Sequence, residues 1–208
     1  MPNISLSALL VSILLVLCSP FSVEAEEFSL LPVSDAPELG GSEGYMLLYV
    51  DAGGTAPSFE FARIARADSE PLPEGERFRF VTKPHKITLK GLANGFYLLP
   101  MTKGQYQIIR VNAPHYSLPF RMSTDNRPEW RFVIEPGRTN YIGALHINTE
   151  RSASHVEIDL LNRIAMQETT IRELMGETLH TYPLAFHTGY RDDFYRDTLS
   201  RKNIEGAQ

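Results

Sequence analysis

The chain has 208 residues, 43% of them hydrophobic and 22% charged, with a formal net charge of −5. That length suffices for one domain that buries most of its apolar surface. The mildly acidic balance argues against nucleic acid as a partner, because phosphates call for a basic face.

Residues 1–25 read as a cleaved signal peptide. Ile4 to Leu17 is a nearly continuous apolar run, interrupted by Ser5, Ser7, Ala8 and Ser12. It is too short to cross a bilayer as a helix, which needs about 20 apolar residues, and it has the length of a signal-peptide core. Val23-Glu24-Ala25 presents small or compact residues where a signal peptidase reads, which places cleavage after Ala25 and makes Glu26 the new N-terminus. No Lys or Arg precedes the apolar core, so the alternative is a buried N-terminal helix of a cytosolic domain. Cys18, the only cysteine, offers a lipoprotein reading, but bulky Leu17 stands where a lipid-transfer site needs a small residue. Removing 25 of the 208 residues leaves 183 with no cysteine and no apolar run long enough to span a membrane. Disulfides, thiolate nucleophiles and Cys-ligated metal sites are then excluded, and the domain must hold itself together by its core. The expected location is periplasmic or secreted.

Residues 26–43 read as an irregular leader, punctuated by Pro32, Pro37 and Gly40-Gly41-Ser42. A β-sandwich domain is expected over 44–162. Its strands begin with Tyr45 to Val50, closed by Asp51-Ala52-Gly53-Gly54, and Phe59 to Ile64. A polar loop, Arg66 to Glu76, precedes Phe78 to Val81 and Ile87 to Leu89. Arg77-Phe78-Arg79-Phe80 alternates with period two, as a strand with its phenylalanines inward does. Ala93-Asn94-Gly95 offers a tight turn, since Asn and Gly tolerate positive φ. Phe96 to Leu99 and Gln105 to Val111 are expected to pair across Pro100 to Gly104. Tyr116 to Met122, Arg131 to Ile134 and Asn140 to Ile147 follow, with Glu135-Pro136-Gly137-Arg138 as a turn. His155 to Leu161 reads as the last strand, with Val156, Ile158 and Leu160 on one face and His155, Glu157 and Asp159 on the other.

The period then changes. Ile171, Leu174, Met175 and Leu179 make one helical stripe. Thr170 and Glu173 have capping-box spacing, and Gly176 is a candidate helix end. Asp192 to Lys202 is a second candidate helix, with Phe194, Tyr195 and Leu199 on its apolar side and Asp192 and Asp193 at its N-terminal end. A helical extension packed on the sandwich is expected over 163–208. The fold class is therefore mainly β: a two-sheet antiparallel β-sandwich with one or two C-terminal helices.

Two motifs, Leu99-Pro100-x-x-x-Gly104-x-Tyr106-x-Ile108 and Ile134-x-Pro136-Gly137-x-Thr139-x-Tyr141-Ile142-Gly143, carry a resemblance. They resemble the "L-P-x-G-x-Y-x-I" and "V-x-P-G-x-x-Y-Y-I" patterns of transthyretin-like (prealbumin-like, carboxypeptidase-regulatory-like) β-sandwiches of bacterial envelope proteins, many of them lipoproteins or exported proteins. The likeness covers roughly 44–162, with Met101-Thr102-Lys103 lengthening the first loop. It implies a fold and an envelope setting, and it brings no catalytic residues. In physical terms, Pro100 and Pro136 fix φ, Gly104 and Gly137 permit reversals, and Tyr106 and Tyr141 close the sandwich ends with their rings while their hydroxyls reach backbone or water.

Chemistry is sparse. The histidines are His85, His115, His146, His155, His180 and His187, and no two have H-x-x-x-H spacing. The strand face His155, Glu157, Asp159, joined by His146 if the next strand has the right register, is a weak candidate for Zn²⁺ or Cu²⁺. An ordinary solvated face is the competing reading. There is no G-x-S-x-G, S-x-x-K or phosphate loop, and no cofactor is expected. Trp130, with Tyr116, Pro119 and Phe120 nearby, reads as core aromatic or, less readily, as an exposed platform for glycan or peptide. The leading functional expectation is a non-catalytic exported accessory or binding domain of the cell envelope with a protein or peptide partner. The alternatives are a periplasmic metal-binding protein and a hydrolase whose site forms only by long-range contacts.

Overall fold

The alternating apolar and polar runs become two stacked sheets in the computed structural model, which describes residues 26–52, 56–65, 83–115, 118–125, 127–150, 155–186 and 190–191. The first sheet contains β1 (Glu26–Phe28), β5 (His85–Thr88), β4 (Ser58–Ala65), β7 (Gly104–His115) and β8 (Leu118–Ser123) in that spatial order. β9 (Arg131–Ile134) pairs with the other half of β7's free edge. The second sheet runs β13 (Tyr190–Arg191), β11 (His155–Asn162), β10 (Thr139–Glu150), β3 (Glu43–Asp51), β6 (Gly95–Thr102) and β2 (Leu31–Pro32), with β12 (Leu184–Phe186) beside the start of β10. The single helix among the described residues, α1, spans Ile164–Thr181. It is not apolar enough to cross a membrane.

The mainly β, two-sheet sandwich expected from the sequence is present. Its sheets are mixed: β3–β10, β1–β5, β10–β12 and β11–β13 are parallel pairs, and the other ladders are antiparallel. Between the sheets lie Met46, Leu48, Val50, Leu99 and Leu145 from one side and Phe59, Phe61, Ile108, Val111 and Phe132 from the other. Trp130 is part of this core at 2% exposure, which removes the reading of an exposed aromatic platform.

Several local expectations are corrected. Phe96–Leu99 and Gln105–Val111 do not pair. β6 joins β3 and β2 while β7 joins β4, β8 and β9, so the chain crosses between sheets at Lys103. The corner is held by the Lys103 N–H donating to Ser42 O at 2.8 Å and by Arg63 Nη2 donating to Lys103 O at 2.6 Å. Gly104 is needed there because a Cβ would come within 2.5 Å of Arg63 Nε. Hairpins and sandwich corners share the same Pro and Gly punctuation, and only the partner strands tell them apart.

Residues 26–43 are only partly irregular. β1 pairs with the first sheet and β2 with the second, and buried Leu30 lies between them, so this segment clasps the two sheets along one side. Phe28 and Leu30 alternating with Glu27 and Ser29 was the available period-two signal.

The capping box at Thr170 does not form either. α1 begins six residues earlier, where Ala165-Met166-Gln167-Glu168 are good helix formers. Asn162 Oδ1 accepts the Ile164 N–H at 3.2 Å in place of an N-cap side chain. The helix also runs past Gly176, bending at Met175, whose φ/ψ of −119/18 are non-helical. Ile171 and Met175 are buried, whereas Leu174 is 54% exposed. β11 is followed by β12 and β13, so it is not the last strand. The expected strand Phe78–Val81, the helix Asp192–Lys202 with Phe194, Tyr195 and Leu199, and Cys18 and Ala25 lie outside the described residues.

Pro100 can sit inside β6 because of what its partner does. Tyr45 lies opposite it. The Tyr45 N–H donates to Arg138 O at 2.9 Å and its carbonyl accepts from Asn140 Nδ2 at 3.1 Å, both away from β6. The ladder asks nothing of the missing Pro100 N–H.

A bulge in β10 decides which side chains share a face. Tyr141 and His146 are five apart and would face opposite sides of a regular strand. The pairing with β3 slips between them: Tyr141 lies opposite Leu47 and Gly143 opposite Leu48. The extra residue, Ile142, enters the inter-sheet core. Tyr141 and His146 consequently both lie on the outer face of the second sheet. Gly143 takes φ +122°, and a Cβ there would meet Leu161 O at 3.0 Å and Leu160 Cδ1 at 3.1 Å. Gly143→Ala is expected to destabilise the fold by at least the roughly 1–3 kcal/mol of a strained backbone. Gly91→Ala is the control: φ there is +80° but the space is open, so only the backbone cost applies. Urea unfolding of both variants checks this, and equal midpoints would contradict the packing part.

Candidate functional site

Three places gather the residues that the sequence singled out. The first is the turn built by Ile134 to Tyr141. Asn140 is fully buried. Its Nδ2 donates to the carbonyls of Tyr45, Glu135 and Arg138 at 3.1–3.2 Å, and its Oδ1 accepts the Glu135 N–H at 3.0 Å. The Gly137 N–H donates to Glu43 O at 2.7 Å, which ties the Pro136-Gly137 reversal to the start of β3. Gly44 is required beneath it, since a Cβ would lie 2.1 Å from Glu135 O. Tyr141 closes this end under α1, its hydroxyl 2.6 Å from Gln167 Oε1. These contacts tie Pro136, Gly137 and Tyr141 into the backbone of β3 and the underside of α1. Asn140→Ala removes a side chain that bonds four backbone groups at once. The expected loss is roughly 2–4 kcal/mol, more than one ordinary hydrogen bond contributes, read as a lower urea midpoint.

The second place is the polar half of the same outer face. Asp159 lies opposite His146 across β10–β11, so His146, Glu157 and Asp159 do share a face, as the metal reading required. His146 Nδ1 is 3.0 Å from Asp51 Oδ2, on the neighbouring β3, and its Nε2 is 4.0 Å from Glu157 Oε2. Asp51 is held in turn by Asn94 Nδ2 at 2.7 Å. A carboxylate only accepts, so the contact fits the tautomer with its proton on Nδ1. His155 is exposed at the head of β11, opposite Glu150. Among the described residues, no three His, Cys, Asp or Glu side chains converge as a metal ion requires. Asp51, read from sequence only as a turn residue, is the strongest partner His146 has. The parallel β3–β10 pairing that brings them together leaves no local trace in the chain.

The third place is a pocket of about 250 Å³ at the side of the sandwich. The first sheet supplies Phe28, Phe61, His85 and Tyr106, and the second supplies Glu43 and Leu99 to Thr102. Phe28 stands edge-on to His85 with centroids 4.8 Å apart, and Phe61 tilts against His85 at 5.3 Å. Tyr106 stacks on Phe132 at 5.6 Å, which fixes the rear wall, and its hydroxyl donates to Thr102 O at 2.7 Å. Pro100, Gly104 and Tyr106 of the first motif therefore make a sheet-to-sheet corner, and two of the three, Pro100 and Tyr106, line the pocket. Phe28, Glu43, Phe61 and His85 were not singled out by sequence, because a pocket wall drawn from six strands has no linear signature.

No protein-family model, no curated protein and no solved structure matches this chain. What the chain is rests on its own geometry: a mainly β, two-sheet sandwich with a helix on one outer face and a pocket at its side.

Burial raises the hydroxyls of Tyr45, Tyr106 and Tyr141 above the ordinary phenol value of 10.0. For Tyr45 the neighbouring Tyr182 and Glu38 add to the effect, while the Arg63 cation opposes it for Tyr106 and the Arg163 backbone N–H, then the Arg163 cation, oppose it for Tyr141. Above the unfolded-state value, the unfolded chain loses these protons and the folded chain keeps them. Their contribution is thus complete below about pH 10 and is lost as pH rises toward the folded values. Tyrosinate absorbance is expected to lag behind that of free tyrosine and to rise together with loss of near-ultraviolet dichroism. Independent early titration of all nine tyrosines would contradict it.

Proposed function

We propose that this chain is a non-catalytic binding or accessory domain exported to the bacterial cell envelope, of the transthyretin-like kind its motifs resemble, and that it binds through the pocket at the sandwich side. The observation that carries the binding part is the pocket itself. Its rear wall is core (Phe61, Leu99, Tyr106), its outer lip is Phe28 of the N-terminal clasp, and Glu43 and Thr102 supply polar atoms. A preformed concave site with a few convergent polar groups on an apolar wall is the usual form of a small-ligand site. The export part rests on the apolar run Ile4–Leu17 and the Val23-Glu24-Ala25 cleavage pattern.

The test is expression of the full chain in a Gram-negative host, followed by fractionation and N-terminal sequencing. The expected result is a periplasmic or envelope-associated protein beginning at Glu26. Unprocessed protein in the cytosolic fraction would overturn the export reading. A survey of soluble substrates showing turnover that one point substitution abolishes would overturn the non-catalytic reading.

A further inference from the structure

We infer that the pocket walled by β1, β3, β4, β5, β6 and β7 selects a small organic cation: an ammonium group carried on a body of about one ring. This rests on the binding reading above and adds the ligand's chemistry.

Size sets the body. A cavity of roughly 150 Å³ holds benzene, and pockets for drug-sized ligands start at roughly 300 Å³. At about 250 Å³, the pocket accepts one ring with a short arm.

The polar atoms set the charge. Glu43 Oε2 accepts the Gly40 N–H at 2.8 Å, and Oε1 has no partner among the described residues. The Tyr106 hydroxyl gives its proton to Thr102 O, so it offers a ligand only lone pairs. Phe28, Phe61 and Tyr106 add aromatic faces, whose quadrupoles are negative. Carboxylate, phenol oxygen and ring faces all favour a donor carrying positive charge. The Arg63 guanidinium, which acts on the Tyr106 hydroxyl, donates to Lys103 O at 2.6 Å and does not itself line the pocket. The Glu26 carboxylate, 3.5 Å from His85 Nδ1, adds negative charge on the clasp side.

The same geometry disfavours an added peptide strand. β2 covers β6 only at Tyr97 and Leu98. The next outward-facing position along that edge is Pro100, which has no N–H to offer.

Three probes of one size and different charge test this: benzylamine, benzyl alcohol and benzoate, at constant pH and ionic strength. Binding is followed by calorimetry and by the ¹³C-methyl signal of Met101, which lines the pocket. Benzylamine is expected to bind at least tenfold more tightly than benzyl alcohol, and benzoate more weakly than either. Glu43→Gln keeps the acceptor for Gly40 N–H, so it should fold normally and erase the tenfold preference while leaving benzyl alcohol unchanged. Thr102→Trp, at an exposed position on the rim, should block all three. Equal binding of benzylamine and benzyl alcohol, with the Met101 signal shifted, overturns the charge selection and leaves the pocket reading standing. A benzylamine preference that survives Glu43→Gln overturns the role given to that carboxylate. No shift at Met101 with any probe overturns the pocket as a binding site.

Discussion

The second sheet is buried on both faces over half its length, and most of the architecture follows from that. Tyr45 to Leu48 is an unbroken apolar run in β3, and every residue in it is fully buried. Met46 and Leu48 meet the first sheet, while Tyr45 and Leu47 meet Ile171 and Met175 of α1. An antiparallel sheet wet on one side would alternate here. The helix is thus obligatory cover. The 3-10 turn Val33–Asp35 and the residues after it extend that cover, with Val33, Ala36 and Leu39 packed beside it. Tyr182 seals the margin, edge-on to Tyr45 at 5.3 Å, its hydroxyl accepting the Leu39 N–H at 3.2 Å.

Further along the same strands the outer face turns polar, at Asp51 on β3 and His146 on β10. The bulge at Ile142-Gly143 makes the two halves compatible. Without it, Tyr141 could be under the helix only if His146 pointed into the core, where an imidazole would need a buried partner. One residue of slippage lets the covered half be apolar on both faces and the uncovered half apolar on one. The left-handed backbone at Gly143 is the local cost of that change of pattern.

What was legible in the sequence follows the same division. Where a strand alternates cleanly, as Val156, Ile158 and Leu160 do against His155, Glu157 and Asp159, both its existence and its faces were readable, because period two survives any choice of neighbour. The turn at Pro136-Gly137 was readable for the same local reason. The corner at Lys103-Gly104 was not, since a reversal that pairs two strands and one that sends them to different sheets use the same residues. The helix stripe was found but its start was misplaced: Thr170 has the right spacing for a cap, yet the apolar surface of Tyr141 and Phe96 rewards a helix that begins at Ile164. Of the sites, the His146 face was half legible. Glu157 and Asp159 came from one strand's alternation, and Asp51 came from a parallel neighbour 95 residues away. The pocket was illegible, as its walls come from β1, β3, β4, β5, β6 and β7.

That origin has a consequence for how the pocket is held. Leu99, Phe61 and Tyr106 belong to the inter-sheet core, so they are kept in place by packing whether or not a ligand is present. Tyr106 is locked twice, by its stack on Phe132 and by its bond to Thr102 O. Such a wall needs little reordering on binding, which lowers the entropic cost of association. The outer residues are differently placed. Phe28 belongs to a three-residue strand in parallel pairing with β5, and Glu43 and Thr102 face each other at the end of the β3–β6 ladder. Changes there touch few core contacts. A rigid core wall with a replaceable rim lets the fold keep its stability while the rim residues change, so in the binding role proposed above the chemistry of Glu43, rather than the sandwich behind it, would set specificity.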